Sequence, residues 1–190
     1  MSDWIKATSY NDVSGAIVRS IENSGVLATG AKVDVAPGTL TETWIQQENI
    51  PNVGAAYVAL GKLLSVKRRS DGMHEHLLMM GIFAIAPYSS RKLQAQSTND
   101  LVLGLVSHLE SNRFYLAEAS KPTDLSGRNM FSPSLMKKGS ALWAIEWRQS
   151  FTLFEADEQL GAPVSNTLGR ETSWPQSAEL TAAIEAARNS

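Results

Sequence analysis

The sequence predicts an α+β fold: a mixed, mostly antiparallel β-sheet covered on one face by two α-helices, with a C-terminal extension. Three observations carry that expectation. Residues 141–154, ALWAIEWRQSFTLF, alternate in character with period two, the mark of a strand with one buried face. Two segments carry apolar residues at helical spacing, Val13, Ile17 and Ile21 in one and Leu101, Leu105 and Leu109 in the other. Two apolar runs, 53–66 and 76–86, flank Asp71-Gly72, a pair that favours a tight hairpin.

The strand at 141–154 is the organising element. Ala141, Trp143, Ile145, Trp147, Phe151 and Leu153 share one face, interrupted only by Gln149. Leu142, Ala144, Glu146, Arg148, Ser150 and Thr152 share the other, wetter one. Two tryptophans and a phenylalanine on one side bring a large apolar area to whatever packs there.

The other elements follow in order. Residues 1–9 form a lead-in, with Trp4 and Ile5 placed to dock on the body or on a neighbouring subunit. Tyr10–Ser24 reads as the first helix, with Ala16 beside its stripe, Ser9 or Asn11 as its cap and Gly25 as its stop. Residues 31–36 alternate as a short strand, stopped by Pro37-Gly38. Residues 40–47 read as a strand or an irregular connector carrying Trp44. Ile50-Pro51-Asn52 breaks the chain. Residues 53–66 read as a long strand, and Gly61 within it suggests a bulge or bend. Residues 76–86 are apolar on both faces, which places that strand centrally in the sheet.

After Pro87, residues 88–99 are polar. The second helix is expected at Asp100–Ser111, capped by Thr98, Asn99 or Asp100, with Val102 and Val106 widening its apolar face. Residues 112–139 read as a long loop holding Pro122, Gly127, Pro133 and Gly139, with Phe114, Tyr115 and Leu116 as a short strand. Loops of that length are commonly functional or interaction elements. The main domain is 1–154. Residues 155–190 are the extension, with a short helix at 175–188, read either as an arm or as a frayed terminus.

Bulk properties narrow the function. A chain of 190 residues accommodates one domain with a tail. A net charge of −2 provides no electrostatic case for a dedicated nucleic-acid or membrane-surface binder. The absence of cysteine removes disulfides, thiolate metal sites and cysteine nucleophiles. The longest apolar run, 77–86, falls well short of the ~20 residues of a membrane helix. The N-terminus lacks a signal-peptide layout, so a soluble chain is expected.

No catalytic chemistry is legible. There is no G-x-S-x-G elbow, no phosphate-binding glycine loop, and no histidine in a plausible loop beside a serine. His74 and His76 would face the same way on a strand and could share a metal. No third ligand is evident, so the pair is read as structural. His108 sits among leucines of the second helix. Lys67-Arg68-Arg69 and Lys137-Lys138 read as solvated strand ends or inter-subunit salt-bridge patches. No enzyme activity, cofactor or metal is therefore expected.

The order of elements supports a resemblance. An amphipathic helix precedes the strand PNVGAAYVAL at 51–60, and a second apolar strand runs from Leu77 to Pro87. A helix with a leucine row follows at Asp100–Glu110, then a loop with Leu125-Ser126-Gly127. A closing strand carries Trp143, Ile145, Trp147 and Phe151. Over roughly residues 10–154 this resembles the tail-terminator proteins of Mu-like tailed bacteriophages. The resemblance implies a structural virion protein and no membrane association. It implies a homohexameric ring that caps the tail tube, ends its polymerisation and presents the head-attachment surface. The implied partners are the tail tube protein, a head–tail connector or neck protein, and the tail sheath. DNA would pass through the bore without specific binding. The implied location is the head-proximal end of the tail in the virion, after assembly in the host cytoplasm. The loop 112–139 and the strand-end region 66–73 become the expected contact surfaces, with Lys67, Arg68, Arg69, Lys137 and Lys138 as assembly-interface residues. The extension 155–190 departs from the family pattern and could serve as an arm. Two alternatives stay open: another neck or tail-completion ring protein, and a small-ligand-binding α/β domain with one deep pocket.

Overall fold

The computed structural model describes residues 4–37, 48, 50–87, 91–130 and 140–154, with the backbone alone at 87, 91–97 and 140. In chain order the elements are α1 (Tyr10–Ser24), β1 (Lys32–Val35), β2 (Ala55–Arg68), β3 (His74–Pro87), α2 (Arg91–Leu109), β4 (Thr123–Asn129) and β5 (Ser140–Leu153). The strands form one sheet in the order β1-β2-β3-β5-β4. Only the β1–β2 pair is parallel; every other neighbour is antiparallel. This is the α+β architecture the sequence predicts.

The first helix forms where its caps place it. The Ser9 side chain accepts from the Asp12 backbone N–H, and the Asp12 carboxylate accepts from the Ser9 N–H at 2.9 Å. This reciprocal pair satisfies two donors that the helix would otherwise leave open. A further hydrogen bond from the Thr8 backbone is the main reason the Asp12 pKa falls below its ordinary 3.8. Gly25 ends the helix in the left-handed region at φ 69°.

The core lies between the sheet and both helices. Ala56 and Val58 of β2, Leu78, Met80, Ile82 and Ala84 of β3, and Ile145, Trp147 and Phe151 of β5 meet α1 and the α2 residues Leu105 and Leu109. Gln149, the polar interruption of the aromatic face, is buried but satisfied. Its Oε1 accepts from Trp147 Nε1 at 2.9 Å, and its Nε2 donates to the Ser120 carbonyl at 2.8 Å. The opposite face carries a smaller cluster, in which Ala55, Tyr57, Ile85 and Leu142 pack with Phe83 and Met130. The face of β5 read as wetter is therefore partly buried too.

β3 is the third strand of five, as its two-sided apolar sequence requires. The hairpin turns at Asp71-Gly72, with Gly72 at φ 87° and the Arg69 N–H donating to the Met73 carbonyl at 2.9 Å. The register slips between Leu60 and Lys62, placing the bulge at Gly61, where a Cβ would lie 3.1 Å from the Met79 carbonyl oxygen. A second slip between Leu63 and Ser65 was not predicted.

Three expectations are corrected. α2 begins at Arg91, nine residues before the predicted Asp100, and the proposed cap Thr98 lies inside it. Residues 91–97 lack an apolar stripe, but Arg, Lys, Leu, Gln and Ala are strong helix formers. The expected loop 112–139 contains β4, TDLSGRN, which shows no useful alternation and is defined by its pairing with β5. The expected strand at Phe114, Tyr115 and Leu116 is a turn instead. Phe114 and Tyr115 both have φ 56°, and Leu116 makes only a single parallel bridge to Ile5. That bridge docks the lead-in on the body, while Trp4 remains 57% exposed. The expected strand or connector at 40–47 and the extension 155–190 lie outside the described residues.

Candidate assembly interface

β1 pairs only with Ala55–Val58 of β2. Just past it, the Ala36 N–H donates to the Val58 carbonyl at 2.7 Å. From Ala59 to Arg68, the outer edge of β2 has no strand partner among the described residues. Register places Leu60, Leu63 and Val66 opposite Met80, Leu78 and His76. They therefore point to the helix-covered side, the side of core residues Leu78 and Met80. They are nevertheless 38%, 44% and 47% exposed. Lys62, Lys67 and Arg68 are exposed on the same stretch. An open strand edge with apolar side chains is a template for pairing with another chain.

The far edge of the sheet is different. β4 is exposed along most of its length, and Leu125 alone reaches back to the core. Between β4 and the C-terminal half of α2 lies an open groove of about 290 Å³, lined by Val106, Glu110, Leu125, Ser126 and Gly127. The uncovered face of the sheet carries a smaller apolar dip of about 80 Å³, where Gly61 and Gly81 leave room between Met79, Phe83 and Glu146.

The predicted basic residues separate in the structure. Arg69 is held within the subunit: its guanidinium pairs with Glu118, meets Asp71 at 2.9 Å and donates to Thr152 Oγ1 at 3.2 Å. The Glu118 hydrogen bond is the main cause of its raised pKa. Lys67 and Arg68 project from the free edge. Lys137 and Lys138 lie outside the described residues.

The histidines are spoken for locally. His76 Nδ1 lies 2.7 Å from Tyr10 Oη, and its ring stands edge-on to His74 at 6.5 Å. Burial, then the neighbouring His74, lowers its pKa. Among the described residues, no group of three or more His, Cys, Asp or Glu is placed to hold a metal ion.

His108 supplies what the sequence did not show. Its Nε2 lies 3.0 Å from Ser20 Oγ and 3.1 Å from Asn112 Nδ2. The Asn112 amide nitrogen only donates, so Nε2 accepts and the ring proton resides on Nδ1. Asn112 Oδ1 in turn accepts from the Phe114 N–H at 2.7 Å. The network ties α1, the end of α2 and the 114–116 turn together, with Ser20 only 4% exposed. Burial lowers the His108 pKa, keeping the ring neutral. Residues 20 and 108 lie far apart in sequence, and no local pattern announces their meeting.

No protein-family profile matches this chain, and no curated protein matches it. Among solved structures, a chain of the "Virion of native gene transfer agent (GTA) particle" is similar, with 13% identity and a TM-score of 0.46 over 74% of this chain and 94% of that one.

Proposed function

We propose that this protein is a structural virion assembly protein of the tail-terminator kind. Six copies form a ring on the head-proximal end of the tail tube, stop its polymerisation and present the surface that a head–tail connector or neck protein joins. The observation that carries this reading is the outer half of β2, whose edge has no strand partner among the described residues and which bears three exposed apolar side chains on its core side. Such an edge is a liability in a solitary subunit and an asset in an assembly. The two ends of the sheet present unlike surfaces, so they suit a head-to-tail contact, and head-to-tail contacts generate rings when the rotation closes. The order of elements shared with tail terminators supports the ring of six and its position. A net charge of −2 suits a bore that lets DNA pass without holding it.

Solution mass by light scattering across a concentration series tests the reading. A hexamer is expected, either alone or on addition of tail tubes. A protein that stays monomeric or dimeric at every concentration, and ignores tail tubes, overturns it.

A further inference from the structure

We infer that the copies join by continuing one sheet: β4 of one subunit pairs antiparallel with residues 59–68 of β2 in the next. Leu60, Leu63 and Val66 of that β2 then enter the groove between α2 and β4. The inference rests on the ring reading above and names its contact.

Strand direction permits the joint. β2, β3, β5 and β4 alternate in direction, so β4 runs opposite to β2. Side-chain facing also agrees. The Leu60, Leu63 and Val66 stripe and the α2–β4 groove both lie on the helix-covered side, so a continued sheet slides the stripe beneath the neighbour's α2. Charge agrees as well. Glu110 is exposed on the groove, and Arg68, on the same side of β2, is exposed at the far end of the stripe.

Stagger provides an independent check. Through β5, the β4 residues Thr123–Asn129 lie level with Met79–Ala84 of β3. The free part of β2 lies level with Gly81–His74 of the same strand. The midpoints differ by about four residues, or about 13 Å at ~3.3 Å per residue. Each copy contributes four strands to the continued sheet, about 19 Å across at ~4.8 Å spacing. A rise of that size over that width tilts the strands by about 35°, at the edge of the ~35–45° that closed barrels adopt. The tilt does not depend on the number of copies. With six, the barrel has roughly 24 strands, beyond the ~16–18 that already leave an aqueous channel in porins. β1 stays on the same β2 edge, end to end with the incoming β4.

The same offset sets Ser126 of one copy opposite Ser65 of the next, both on the uncovered face. The chain has no cysteine, so a Ser65→Cys, Ser126→Cys double variant tests the pairing without background. Mild oxidation of the full-length protein should yield a covalent ladder up to the hexamer. Each single variant should yield none, and an equal mixture of the two should stop at dimers. A hexameric mass without cross-linking overturns the β4–β2 joint and leaves the ring standing. A monomer at every concentration, with and without tail tubes, overturns both. A Leu63→Lys, Val66→Lys variant adds a second measurement. It should raise the concentration needed for assembly at least ~100-fold with an unchanged melting temperature of the subunit, since hot-spot contacts commonly carry losses of that size. Unchanged assembly overturns the inference.

Discussion

The first half of β2, Ala55 to Val58, lies between β1 and β3 and is fully buried. The second half runs on for ten more residues, paired with β3 alone among the described residues, and its Leu60, Leu63 and Val66 are left 38–47% exposed. Both halves place apolar side chains on the helix side of the sheet. They differ in their neighbours: among the described residues the first half has β1 beside it, while the second has no strand on that edge. Fully burying one aliphatic side chain is worth roughly 1.5–3 kcal/mol. Three half-exposed ones therefore leave a few kcal/mol to be gained when another surface covers them. Hydrophobicity marks what can be buried, and the arrangement of neighbours decides what is.

This contrast can be broken from its buried side. Trp147 is 1% exposed and packs at the centre of the core. Trp147→Ala should destabilise the subunit by about 3–5 kcal/mol, read as a lowered midpoint in urea unfolding. Gln149→Leu should have a smaller effect, about 1–3 kcal/mol, because Trp147 Nε1 and the Ser120 carbonyl lose their buried partner. Retained stability in that variant would show that water reaches both groups.

The pH dependence adds a second axis, since both shifted histidines are half-buried: His108 beside Ser20 of α1, and His76 opposite Val66 of the outer half. His108 is lowered by burial, and His76 by burial and by His74. As pH falls below about 6.5, the unfolded chain therefore binds more protons than the folded one. Stability should be full above that value and should decline as pH falls toward the folded-state pKa values. His108→Gln should flatten the slope in a denaturant series between neutral and mildly acidic pH. An unchanged slope would assign the effect to other groups. The smallest effect is expected on the free half. Leu63→Ala should leave subunit stability within about 0.5 kcal/mol, and a large loss would mean that Leu63 is already covered.

Local signals in the sequence reached far into the fold. α1 was legible to the residue, because Ser9, Asp12 and Gly25 make its caps from neighbouring positions. The hairpin at Asp71-Gly72 and the bulge at Gly61 were legible for the same reason: glycine is needed where the backbone bends or approaches closely. The start of α2 was missed because its first turns carry helix propensity without an apolar stripe. β4 was missed because TDLSGRN has neither propensity nor alternation.

Within the candidate interface, the sequence indicated the basic strand end at Lys67 and Arg68. It did not indicate that Arg69 would turn inward to Glu118, nor that the Leu60, Leu63 and Val66 stripe would be left open. By itself the sequence determined the ends of α1, the central position of β3 and the aromatic face of β5. Each of these depends on residues within a few positions of one another, or on the apolar character of one segment. Only the tertiary structure decided that β1 pairs with Ala55–Val58 of β2, that β4 forms the far edge, and that Ser20 meets His108. Those outcomes depend on which distant segment arrives beside which, and strand pairing across tens of residues leaves no trace in local pattern.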